Sequence, residues 1–134
     1  MIIRYATTDD TLRIVRALQN KKLDYNTPQR VKNDIELGRL IIAVEGGKIL
    51  GQVALEPKPE FDYTGVCRVC VYSKRSQGKG VASALLEFVC GLGIENLGAT
   101  PWDTNPQMCH LFEKFGFEHQ YTFDTHYKFY KKRG

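Results

Sequence analysis

The sequence predicts an α/β domain built on a mixed central sheet. Short apolar segments bounded by Gly, Pro and Asn mark several strands, while apolar residues at helical spacing mark helices between them. The pair Gly46-Gly47 joins two apolar runs and is a strong two-residue hairpin signal. Residues 66–72 are apolar at nearly every position, as expected for a central strand buried on both faces.

Residues 2–6 give the first strand. Thr8 is placed to cap a helix whose apolar positions Leu12, Val15 and Leu18 recur at helical spacing. Thr27-Pro28 supplies a cap and a proline at the first helical position, and that helix carries Val31 and Ile35 and stops near Gly38. Residues 40–44 and 49–55 form the hairpin, and the segment around Pro57 and Pro59 breaks its second strand. After the central strand, Val81, Leu85, Phe88, Val89 and Leu92 share one helical face. A short strand falls within residues 96–102. Asn105-Pro106 opens a further helix, with Leu111, Phe112 and Phe115 apolar and Gly116 as its stop. Residues 117–123 and 126–130 close the chain's pattern as a hairpin, giving the order βααβββαβαββ.

With 134 residues, 43% hydrophobic and 25% charged, the chain is expected to be one domain over residues 1–134. No apolar run approaches the roughly 18 residues that span a bilayer. The first residues lack the charged start and apolar middle of a signal peptide, so a cytoplasmic protein is expected, with no membrane partner. A monomer and a homodimer both fit. Cys67 and Cys70 make a CxxC, but residues three apart on a strand point to opposite faces, so no metal site is expected there. Buried reduced thiols are the simpler reading.

The charge is localised. Residues 63–86 contain no Asp or Glu, whereas Arg68, Lys74, Arg75 and Lys79 lie among them and match the chain's whole excess of +4. That is too local for a general nucleic-acid binder, and the second basic cluster, Lys131-Lys132-Arg133, is expected to be a solvated, frayed segment. Within the first cluster, Gln77-Gly78-Lys79-Gly80-Val81-Ala82 follows a strand and opens a helix. A helix N-terminus offers unsatisfied N–H groups and about half a positive charge, and glycines let an anion come close. A nucleotide P-loop does not fit, because Ser73 stands where its first glycine belongs and Gly80 follows Lys79. A ligand-free strand–turn–helix junction would also explain the glycine pair taken alone.

A second stretch separates these readings. Gln77, Gly80 and Ala82 match a Gln/Arg-x-x-Gly-x-Gly/Ala motif, and Asn105, Leu111, Lys114, Gly116 and Phe117 match Asn-x-x-Ala-x-x-Leu-Tyr-x-Lys-x-Gly-Phe. In both motifs and in element order the chain resembles the GNAT superfamily of N-acetyltransferases. The resemblance implies a GNAT-like fold and an enzyme that moves an acetyl group from acetyl-CoA to a primary amine of an unidentified acceptor. It implies that Val71, Tyr72, Gln77, Gly78, Lys79, Gly80, Val81, Ala82 and Ser83 hold the cofactor from one side, and Asn105, Cys109 and Phe112 from the other.

Acyl transfer needs a neutral amine, a held oxyanion and a released thiolate. The backbone N–H of Val71 is the expected oxyanion donor. Glu56 and Asp103 are the candidate bases, with Glu60 and Asp62 nearby in sequence. The family's usual acid is the Tyr of its Leu-Tyr-x-Lys segment, and this chain has Phe112 there. A phenyl ring has no proton to give. A non-catalytic acyl-CoA-binding module on the same fold is therefore the alternative.

Overall fold

The structure, a computed structural model, describes residues 1–22, 27–73, 78, 80–124 and 126–133. Its elements are β1 (Ile2–Tyr5), α1 (Thr11–Asn20), α2 (Pro28–Glu36), β2 (Leu40–Glu45), β3 (Lys48–Lys58), β4 (Tyr63–Val71), α3 (Val81–Cys90), β5 (Asn96–Ala99), α4 (Pro106–Lys114), β6 (Glu118–Phe123) and β7 (Tyr127–Arg133). Short 3₁₀ turns stand at Thr8–Asp10 and Pro59–Phe61. The order is the expected one. Strands neighbour each other as β1-β2-β3-β4-β5-β7-β6, with β4–β5 parallel and β1–β2, β2–β3, β5–β7 and β6–β7 antiparallel, which makes the seven-stranded sheet mixed. No helix among the described residues is long and apolar enough to cross a membrane.

The chain divides into two compact units, with β3, β4 and α3 each contributing to both. Unit one comprises Met1–Ala54 and Arg68–Leu85. Its hairpin turns at Gly46 and Gly47, whose φ of 57° and 78° only glycine adopts freely. The turn sets Glu45 opposite Lys48. The core of this unit is built from Ile14, Val15 and Leu18 of α1, Val31 and Ile35 of α2, and residues 40–43 of β2. Leu12 departs from expectation: it is 71% exposed, whereas Ile14 is fully buried. The helix begins later than Thr8 suggests, after the 3₁₀ turn capped by Thr7; Val15 and Leu18 keep their expected places in the core and Ile14 takes that of Leu12. Asp10 closes that turn. It is buried, and it accepts from Arg4 at 2.8 and 3.1 Å, from Arg13 at 2.7 Å and from the Thr7 N–H at 2.8 Å.

Unit two comprises Leu55–Cys67 and Leu86–Gly134. Its core holds Val66, Leu86, Val89, Leu97, Cys109, Phe112, Phe117 and Tyr130. The third strand runs through Pro57 to Lys58 before the break, three residues further than expected. The basic cluster Lys131-Lys132-Arg133 is not a frayed segment. It lies in β7, paired with Gly98, Leu97 and Asn96 of β5 on one edge, with Lys131 also opposite Glu118 of β6 on the other. Backbone pairing on both edges outweighs the tendency of a charged terminus to solvate. In β4 only Val66 and Cys70 are fully buried, so the expected burial on both faces is not observed along its length.

Candidate functional site

In unit one, β4 ends at Val71 and the chain turns toward α3. Gly78 and Gly80 have φ of 83° and 77°, the left-handed region that strains other residues. A Cβ added at either would meet nothing within 4 Å, so these glycines serve backbone shape and leave open space beside it. The Gly80 carbonyl accepts from the Ala84 N–H at 2.9 Å and starts α3, whose first turn carries no carboxylate. Val81 is buried, and Ala82 and Ser83 are half-buried. Gly51 of β3 allows this seating: a Cβ there would lie 2.6 Å from the Cys70 carbonyl oxygen and 3.0 Å from Val81 Cγ1. Gln77 and Lys79, both expected cofactor contacts, lie outside the described residues, as do Lys74 and Arg75.

Just before that turn, β4 carries a kink that the sequence did not announce. Arg68 has φ of 50°, left-handed backbone inside a strand. The buried Gln52 side chain holds it. Gln52 Nε2 donates to the Arg68 carbonyl at 3.2 Å, and Gln52 Oε1 accepts from the Tyr72 hydroxyl at 2.5 Å. The Arg68 guanidinium donates to Asp34 at 2.8 Å, with both side chains largely buried. Tyr72 is thus engaged through its hydroxyl, and through its N–H, which donates to the Leu50 carbonyl at 2.8 Å. Val71, the expected oxyanion donor, is half-buried next to it.

In unit two, β4 and β5 pair only at Thr64↔Leu97 and Gly65↔Gly98. The strands then separate, although Val66 and Cys67 continue β4 and Ala99 continues β5. A cavity of about 160 Å³ opens at this divergence, lined by Glu56, Tyr63, Val66, Cys67, Gly98 and Thr100 among others. Glu56 is the one sequence-predicted carboxylate that reaches it. Its carboxylate meets Lys58 at 3.2 Å and accepts from the Cys67 thiol at 3.7 Å. The hydrogen bond that Lys58 Nζ donates to Glu56 Oε1, with the charge of Glu56, holds the Lys58 ammonium above its ordinary pKa.

Asp103, the other candidate base, does not line that cavity. Its N–H donates to the His126 carbonyl at 2.8 Å, and its buried Oδ1 has no hydrogen-bond partner among the described residues. Asn105 caps α4 by accepting from the Met108 N–H at 3.2 Å, which explains its place in the motif by local structure. Cys109 is buried and donates to the Trp102 carbonyl at 3.5 Å. Phe112 is 2% exposed, with ring centroids 5.0 Å from Phe117 and 6.4 Å from Tyr130. Tyr130 is itself buried and donates to Glu113 at 3.0 Å; burial and that carboxylate raise its pKa.

One feature of this unit escaped sequence reasoning: a row of aromatic rings. Phe61 stacks near Tyr63 at 6.4 Å, and Tyr63 meets Phe129 at 5.5 Å. Phe129 meets Tyr121 at 5.2 Å, and Tyr121 meets Phe123 at 6.3 Å. Phe123 stacks on Tyr127 at 5.4 Å, and Tyr127 meets Trp102 at 4.9 Å. The signal was the alternation Tyr121-x-Phe123 and Tyr127-x-Phe129, which puts all four on one strand face.

The family model for the acetyltransferase (GNAT) family matches residues 9–117. Among curated proteins, none matches the chain by sequence. Solved structures with the same fold include a GNAT-family acetyltransferase from Bacillus cereus, at 20% identity and TM-score 0.85, covering 98% of this chain and 96% of that one. N-acetylglutamate synthase from Neisseria gonorrhoeae, solved with coenzyme A and N-acetyl-glutamate, has 22% identity and TM-score 0.73; the match covers 98% of this chain and 34% of that one. Diaminobutyrate acetyltransferase from Paenibacillus lautus, solved with L-2,4-diaminobutyric acid and coenzyme A, has 18% identity and TM-score 0.75 over 97% of this chain and 92% of that one. At these identities the structures speak for the fold alone. The family rests on the sequence model, which spans most of the chain: this protein belongs to the GNAT family of acetyltransferases.

Proposed function

We propose that the protein transfers the acetyl group of acetyl-CoA directly to a primary amine in a ternary complex. The observation that carries this reading is the β4–α3 turn, where Gly78 and Gly80 hold left-handed backbone beside open space at the start of a helix lacking acidic residues in its first turn. Such a turn suits the pyrophosphate of CoA, whose charge meets N–H groups and the helix dipole. Val71, Tyr72, the residues from Gln77 to Ser83, and Asn105, Cys109 and Phe112 are the proposed cofactor contacts.

In the proposed reaction the neutral amine nitrogen attacks the thioester carbonyl carbon. The oxyanion that forms is held by the Val71 N–H, a donor of a kind worth about 10²–10³ in rate. The C–N bond forms, the C–S bond breaks, and the electron pair leaves on the CoA sulfur. The proton released by the nitrogen passes through water to Glu56. Phe112 supplies no acid, and a thiol with a pKa near 8.5 departs as thiolate without one.

Phe112 also favours a second reading, an acyl-CoA-binding module without turnover, because its ring is fully accounted for by packing. Release of free thiol from acetyl-CoA across a panel of amines decides between the two. Turnover with any amine above the buffer rate supports transfer, and thermal stabilisation by acetyl-CoA with no thiol release from any of them favours the module.

A further inference from the structure

We infer that the acceptor is an amine with a carboxylate beside its nitrogen and an aromatic side chain, an aromatic amino acid or a close analogue. This inference rests on the proposed acetyl transfer and names its second substrate.

Next to the cavity at the β4–β5 divergence lies a larger one of about 450 Å³, in the size range of small-molecule sites. Phe61, Tyr63, Tyr121, Phe123 and Phe129 line it, with Thr100 and Lys131. Tyr63 and Thr100 border both cavities, which are neighbours along one edge. Gly98 seats their shared wall: a Cβ there would stand 2.5 Å from Tyr63 Cδ2, so only glycine lets the Tyr63 ring lie against β5. The rings are not spent on the protein's own core. Phe61 is 65% exposed and Tyr121 is 57% exposed. Tyr121, Phe123 and Phe129 occupy the face of β6 and β7 opposite Tyr130, which packs on α4 through Phe112 and Glu113.

Charge narrows the occupant. Of the basic residues in β7, Lys131 and Arg133 share the aromatic face and only Lys131 lines the cavity, while strand alternation puts Lys128 and Lys132 on the Tyr130 face. One cation beside five rings suits a small ligand with a single anionic group and does not suit a nucleic-acid strand, which needs a basic track. Lys131 stands opposite Gly98, at the end of the aromatic cavity nearest the divergence, where Glu56 lies. An amine beside Glu56, whose carboxylate also holds Lys58, a carboxylate at Lys131 and a ring among Tyr121, Phe123 and Phe129 describe one compact molecule.

The test uses the full chain with acetyl-CoA and four probes: L-phenylalanine, phenethylamine, L-alanine and putrescine. Thiol release should give L-phenylalanine a kcat/KM about tenfold or more above each of the others, since one lost ring contact or ion pair is worth about that factor. Lys131→Met should raise KM for L-phenylalanine and leave phenethylamine unchanged. Phe129→Leu should raise KM for both ring-bearing probes, with thermal stabilisation by acetyl-CoA intact in both variants. Putrescine or L-alanine equalling L-phenylalanine overturns the inference, as does a Lys131→Met variant with unaltered kinetics. Calorimetry of L-phenylalanine binding separates the two levels. Binding of L-phenylalanine without any acetyl-CoA binding supports the aromatic site and defeats the transferase reading. Stabilisation by acetyl-CoA with no L-phenylalanine binding, or with the chain dimerised through this face, overturns the site alone.

Discussion

Gln52 donates to the carbonyl of Arg68 at 3.2 Å, across from the point where β4 enters left-handed backbone. An amide buried in the sheet thereby braces a left-handed residue of β4. Gln52→Leu keeps the volume and removes both hydrogen bonds, leaving the Arg68 carbonyl and the Tyr72 hydroxyl without this partner. Each hydrogen bond so lost costs about 0.5–1.5 kcal/mol. Denaturant unfolding should therefore show a loss of about 1–3 kcal/mol. If the proposed Val71 donor depends on this kink, kcat falls while acetyl-CoA affinity holds, and steady-state kinetics reports both.

The glycine turn gives the second prediction. Acetyl-CoA at 100 times its dissociation constant should stabilise the wild-type chain by about 2.7 kcal/mol, read as a rise in melting temperature. Gly80→Glu should abolish that rise, because a carboxylate would enter the open space and repel the pyrophosphate. The φ of 77° adds strain to any side chain there, so a modest drop in intrinsic stability accompanies the loss. Retained stabilisation by acetyl-CoA would locate the phosphates elsewhere.

Acid should expose the Asp10 cluster. The hydrogen bonds from Arg4, then those from Thr7, hold the carboxyl down at about 2, from an ordinary 3.8, although burial pushes the other way. A depressed carboxyl stabilises the fold above its unfolded pKa and loses that contribution as pH falls toward its folded one. Between pH 4 and pH 2 the stability should drop by about 2 kcal/mol from this group. Asp10→Asn carries no such charge, so its unfolding free energy should lack that part of the acid slope in a pH series of denaturant titrations.

Phe112→Tyr tests the missing acid. The ring lies 2% exposed against Phe117 and Tyr130, so an added hydroxyl enters packed space. Without a partner it costs about 1–3 kcal/mol. The expected outcome is a lower melting temperature with turnover nearly unchanged. A rise in kcat of tenfold or more would mean that the hydroxyl reaches the leaving sulfur, since a general acid is worth about 10²–10⁴.

The elements were legible wherever local chemistry decides them. Gly46-Gly47 closed its hairpin, Thr27-Pro28 and Asn105-Pro106 opened their helices, and Gly38 and Gly116 ended theirs with positive φ. The failures needed non-local information. Leu12 and Ile14 are equally apolar, and the 3₁₀ turn held by Asp10 and two arginines from β1 and α1 chose between them. The left-handed Arg68 is imposed by Gln52 and Asp34, which lie 16 and 34 residues away. Of the candidate site, the two turn glycines follow from sequence position, whereas Glu56, read at the break after the third strand, lies within that strand at a cavity. The aromatic row did not, because its rings come from four separate segments that only the sheet order aligns.

The insertion of β7 between β5 and β6 has a kinetic side. β5 gains its antiparallel neighbour only from residues 130–133, after α4 and β6 have intervened in the chain. During synthesis the edge of β5 stays open while β6 emerges, and β6 cannot fill it. Closure of this sheet waits for a local hairpin to form first and then dock by its far strand, a long-range step that pays loop entropy before any pairing repays it. The exposed edge and the aromatic face would be unguarded together in that interval, when mispairing with another chain is least opposed.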